Sequence, residues 1–137
     1  VRFLLDTNAI SDLIRDPYGR IAARIERHGI DRIGASIISA MELRYGAVQR
    51  GSAKLLTAVE TVLARMIVQP FAAPADQTYA ELRTDLERRG KIIDYEDMLI
   101  AAHALTLGVT LVTANVKHFA HVEGLRVEDW SRPKGKA

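Results

Sequence analysis

Phe3-Leu4-Leu5-Asp6-Thr7-Asn8 opens the chain and decides its class: three apolar residues run straight into an aspartate at a polar corner. Helical spacing follows at Ile10, Leu13 and Ile14, so the stretch reads as a short buried strand feeding a helix that Pro17 breaks. The pattern recurs far along the chain, where Thr110-Leu111-Val112 halts at Thr113-Ala114-Asn115. Between them, Ile21, Ala22 and Ile25 mark a second helix with Arg20, Arg24 and Arg27 on its wet side, closed by Gly29. Ile33-Gly34-Ala35 reads as a strand, Ser39 as the start of a helix reaching about Gly51, and Ala53 to Arg65 as a further helix. Met66-Ile67-Val68, before Pro70, is strand-like, and Ala75 to Arg89 is helical. Tyr95 to Leu107 is apolar almost all round and ends at Gly108, which predicts a buried helix; a last strand is expected around Leu125 to Val127. Strands alternating with helices imply a parallel sheet covered on both faces. Ligands gather outside the carboxyl ends of such strands, and Asp6 and the Thr113–Asn115 corner share that rim.

A length of 137 residues suits one core without staples, so one domain over 1–130 and a flexible tail over 131–137 are expected. The chain has no cysteine, which excludes disulfides, thiolate metal sites and a cysteine nucleophile together, and suits a reducing cytoplasm. No apolar run approaches the ~20 residues of a membrane span, and no secretory pattern opens the sequence. The net charge is only +2, but Arg outnumbers Lys fourteen to five. Arginine pairs with phosphate in bidentate fashion, a weak push toward a nucleic-acid partner.

No phosphate-binding glycine loop, nucleophile elbow or paired-histidine motif is present, so chemistry would fall to carboxylates. Asp6 reads either as the cap of the following helix, a role Asn8 could share, or as a ligand at a strand end. Glu42 stands three residues after Ser39, as in a capping box, and that role competes with metal binding for one carboxylate. Asp94-Tyr95-Glu96-Asp97 puts three acids in one helical turn; the helix dipole accounts for Asp94, a natural cap, and for Glu96. Asp97 enters an apolar helix, where a carboxylate needs a cation or dense hydrogen bonding. His103 is expected to be a core histidine, and His118 and His121 have no zinc-ligand spacing.

Five stretches in order resemble the PIN-domain ribonucleases of VapC-like toxin–antitoxin pairs. They are Phe3 to Asn8, Ser36 to Gly46, Asp97 to Ala104, Leu111 to Phe119, and Gly124 to Trp130. The resemblance implies a three-layer α/β/α sandwich with a mainly parallel central sheet. It also implies a metal-dependent endoribonuclease in which Asp6, Glu42 and Asp97 hold Mg²⁺ or Mn²⁺. Thr7, Asp94, Thr113 and Asn115 would support that site. A cognate antitoxin, an RNA substrate and a homodimer are the implied partners. Two departures stand out: Ile93-Asp94-Tyr95 replaces the usual Ile-Gly-Pro, and the last corner offers Asn115 and His118 where a fourth acid is usual. Arg15, Arg20, Arg24, Arg44 and Arg50 are candidates for gripping RNA, with Arg15, Arg44 and Arg50 foremost. Two other readings compete: a catalytically weak PIN-like module that only binds RNA or a protein, and an aspartyl-phosphate phosphatase. The second usually needs an Asp where this chain has Asn8.

Overall fold

A computed structural model of the chain describes residues 1–133; of the expected tail, 134–137 lie outside the described residues. Five strands form one sheet: β1 (Phe3–Leu5), β2 (Ile33–Ser36), β3 (Ile67–Gln69), β4 (Thr110–Val112) and β5 (Val127–Glu128). Their order is β3-β2-β1-β4-β5 and every pairing is parallel, where a mainly parallel sheet was expected. Six helices connect them: α1 (Thr7–Arg15), α2 (Arg20–His28), α3 (Ile37–Gln49), α4 (Ala53–Ala64), α5 (Ala75–Arg88) and α6 (Tyr95–Leu107). None of the described helices is long and apolar enough to cross a membrane.

The pleat divides the core in two. Leu5 and Val112 point to one face with Ile10, Ile33, Val59 and Trp130, while Leu4 and Leu111 point to the other with Leu86, Met98 and Phe119. Helices therefore cover both faces, giving the three-layer sandwich. Trp130 is buried, stacked on His28 with ring centroids 5.1 Å apart and 5.0 Å from Phe3, so the end of the described chain closes over its first strand.

Strand order decides where the site lies. From central β1 the sheet grows through β2 and β3 on one side and through β4 and β5 on the other. Connections leave in opposite directions there and open a crevice at the carboxyl ends of β1 and β4. Leu5 lies opposite Val112, so Asp6 and Thr113 leave the sheet side by side.

Three boundaries differ from expectation. The helix expected from Ser39 begins at Ile37, because β2 runs into α3 without a loop and Ser36 caps it, accepting from the Ile38 N–H at 3.0 Å. Ser39 is thus inside the helix, and the expected Ser39–Glu42 capping box does not form. β3 starts one residue later than Met66, and β5 occupies Val127–Glu128 rather than Leu125 to Val127.

Candidate metal centre

Three segments bring four carboxylates to the crevice. Asp6 follows β1 directly, Glu42 projects from α3, and Asp94 and Asp97 sit at the start of α6. Asp6 is buried and caps α1, accepting from the Ala9 N–H at 2.8 Å, with Thr113 beside it at the end of the neighbouring strand. Capping and site placement are therefore not alternatives for this residue. Burial raises its pKa above the ordinary value, Thr113 and Ala9 oppose the rise, and the charges of Asp12 and Glu42 add to it.

Glu42 accepts from the Thr7 hydroxyl at 2.6 Å, a bond spanning two helices that aims the carboxylate into the crevice. Asp97 is half-buried. Its pKa is also raised, first by burial and then by Asp94, Asp6 and Glu42, against the opposing influence of His118. The charges of Asp6 and Glu42 thus reach Asp97, although the tight group around it is made by Asp94 and His118 and includes neither. Asp94 occupies the cap position of α6 but makes no side-chain capping bond, so its carboxylate is left to the crevice.

His118 is the residue that sequence reasoning missed. It lies in a 3₁₀ turn, Val116–Phe119, which follows the Thr113–Asn115 corner and swings the ring back over α6. Its Nδ1 is 2.9 Å from Asp97 Oδ2 and 3.1 Å from Asn115 Nδ2. Asn115 is tied in turn to the corner, its N–H donating to the Thr113 hydroxyl at 3.0 Å. One atom each from Asp94, Asp97 and His118 fall within 4.8 Å of one another, a spacing that can enclose an ion. Its position, where a fourth acid is usual, was the available signal.

The remaining candidates lie apart from these groups. His103 is a buried core residue, its Nδ1 2.7 Å from the Ser36 hydroxyl. Arg15 is paired with Asp12, Arg44 is held by both oxygens of Glu60 at 2.7 and 2.9 Å, and Arg24 lies over the Trp130 ring. Arg20 reaches the Ser131 carbonyl at 3.4 Å, whereas Arg50 is exposed at the end of α3 with no ion-pair partner among the described residues.

The family model for the PIN domain matches residues 3–125. The chain belongs to the PIN-domain family. Among curated relatives, this PIN domain is 32% identical to a tRNA(fMet)-specific endonuclease VapC of Shigella flexneri, over 96% of its own length and 99% of the relative's. It is 33% identical to Ribonuclease VapC2 of Rickettsia felis, over 95% and 98% of the two chains. Among solved structures it resembles the DNA-bound VapBC of Salmonella typhimurium, with a TM-score of 0.90, 32% identity and coverage of 95% and 98%. VapBC2 of Rickettsia felis, bound to a promoter DNA fragment, gives a TM-score of 0.86 at 32% identity, covering 95% and 99%. A divalent metal is general to PIN nucleases, and the donor set suits one. Carboxylate oxygens are hard ligands, and clustered acids whose ionisation is resisted have the electrostatics of a cation site.

Proposed function

We propose that Asp6, Glu42 and Asp97 jointly hold a divalent cation, Mg²⁺ or Mn²⁺, and that the chain hydrolyses RNA phosphodiester bonds there as the toxin of a toxin–antitoxin pair. What supports the reading is that three separate elements direct acids toward the switch point of a PIN sheet, where the charges of Asp6 and Glu42 oppose the ionisation of Asp97. When bound, the cation supplies Lewis-acid polarisation of the phosphoryl oxygen and a more acidic water. The chain's own residues hold the ligands in place beforehand. Thr7 holds Glu42 and the Ala9 amide holds Asp6, while Thr113 and Ala9 favour the charge of Asp6 against its burial. Asp94 adds negative charge at the open edge of the crevice. Arg50, unpaired among the described residues, is the foremost candidate for gripping an RNA phosphate; Arg15 and Arg44 must first give up Asp12 and Glu60.

The partner is an antitoxin, as in the VapBC assemblies this fold resembles. An arginine from such a partner, inserted among the crevice acids, is a simple inhibitory device because it substitutes one cation for another. A homodimer is also proposed, resting on the exposed apolar row Ile37, Met41, Tyr45 and Val48 along α3 beside Glu42. Function in the cytoplasm is consistent with the absence of cysteine.

The test is cleavage of purified transfer and ribosomal RNA with Mg²⁺ or Mn²⁺, followed by sequencing of the new ends. Asp6→Ala, Glu42→Ala and Asp97→Ala should each abolish cutting while leaving the circular dichroism spectrum unchanged. RNA binding without cleavage by the parent would make this a binding module. Hydrolysis of small phosphate esters but not RNA would point to a phosphatase.

A further inference from the structure

We propose that His118 is itself a metal ligand, completing through its Nδ1 a mixed oxygen-and-nitrogen site that prefers Mn²⁺ to Mg²⁺. The inference rests on the metal-centre reading above and assigns this chain a ligand that its departure from the usual acid would otherwise leave missing.

Nδ1 is 2.9 Å from Asp97 Oδ2 and lies with Asp94 in a group no wider than 4.8 Å. Neighbouring ligands on an octahedral ion with bonds of about 2.1 Å stand about 3 Å apart, so the Asp97–His118 spacing matches one edge of such a shell. Asn115 Nδ2 lies 3.1 Å from the same nitrogen. With its hydrogen on Nε2, the ring has one lone pair on Nδ1, and a cation bound there would take the place of the Asn115 contact and relieve the Asp97 carboxylate. Both side chains retain access to solvent, at 28% and 29% exposure, so an ion can reach them from the open edge.

Placement explains why the imidazole can serve here. The 3₁₀ turn carrying His118 follows β4 through Thr113, which leaves the sheet beside Asp6. The turn is thus anchored to the same rim as the acids. An acid at this position would give an all-oxygen set, to which Mg²⁺ is well suited. Replacing one oxygen by an imidazole nitrogen favours transition metals, among which Mn²⁺ best tolerates a shell otherwise made of carboxylates.

The experiment uses the full chain, Mn²⁺ alone and no RNA. Pulsed electron paramagnetic resonance of bound Mn²⁺ should show coupling to a directly bonded nitrogen that changes character when histidine is labelled with nitrogen-15. His118→Gln should remove the coupling and weaken Mn²⁺ binding about tenfold, as loss of a tuning partner does elsewhere, while changing Mg²⁺ binding less. His118→Glu should lose the coupling and favour Mg²⁺ relative to the parent. Thermal melts of both variants in chelator establish that they fold. Mn²⁺ bound without nitrogen coupling, or coupling that persists in His118→Gln, would overturn the role of His118 and leave the carboxylate site standing. Failure of the parent to bind Mn²⁺ with defined stoichiometry would remove both.

Discussion

Asp97 sits where burial and three neighbouring acids all resist its charge, and the upward direction of its pKa shows that His118 does not fully offset them. An acid whose folded pKa lies above its unfolded one weakens the fold when it ionises. The penalty is absent below the ordinary value of 3.8, grows as pH rises and is complete above the raised folded value. Asp97→Asn removes the charge and keeps the shape, so in excess chelator at pH 7 it should be more stable than the parent by about 1 kcal/mol. That advantage should shrink as pH falls toward the carboxylate range, and added Mg²⁺ should raise the parent's melting temperature more than the variant's. A chelated Asp97→Asn that melts below the parent would make Asp97 a structural residue of the helix start. The acids themselves were legible in the sequence, because Asp6 follows an apolar run and Asp97 enters an apolar helix. Their supporting bonds were not: Thr7 meets Glu42 across 35 residues of chain. The approach of His118 to Asp97 depends on a turn whose path no local spacing encodes.

At the level of elements, α3 separates what a local pattern can specify from what the sheet decides. Ser36-Ile37-Ile38-Ser39 offers two serines able to cap, and Glu42 three residues after the second makes a capping box look attractive. The choice is made by β2, which pairs with β3 as far as Ser36 opposite Gln69 and leaves only Ser36 at the junction. Ser36 then bonds both the Ile38 amide and the His103 ring, whereas the buried Ser39 hydroxyl has no partner among the described residues. Ser36→Ala should therefore cost about 1–2 kcal/mol in urea unfolding, through the lost cap and the stranded histidine. Ser39→Ala should be neutral or slightly stabilising, since an unsatisfied buried hydroxyl contributes nothing. Equal losses in both variants would restore the later helix start. The helix from Tyr95 to Leu107, apolar almost all round and ending at Gly108, was legible to the residue even though Asp94 makes no side-chain capping bond. The outer strands β3 and β5 were displaced because their ends are set by neighbours distant in sequence.

For the whole molecule, the unpartnered apolar surface of α3 has the most to say. Met41, Tyr45 and Val48 are exposed in a row on a helix whose opposite side is buried through Ala40, Leu43 and Ala47. Val48→Asp combined with Tyr45→Arg should convert the proposed dimer to a monomer in light scattering, with melting temperature little changed at low concentration because nothing in the core is touched. A parent that is already monomeric at micromolar concentration would refute the dimer. The position of β1 has a different kind of consequence. As the middle strand it is made first, yet one of its two neighbours is β4, at Thr110–Val112. A ribosome that stops before Asp97 releases Asp6 and Glu42 on an unfinished sheet, without the third acid or the turn bearing His118. The proposed centre is therefore complete only once the chain has been made as far as His118, and a product that stops before Asp97 lacks it.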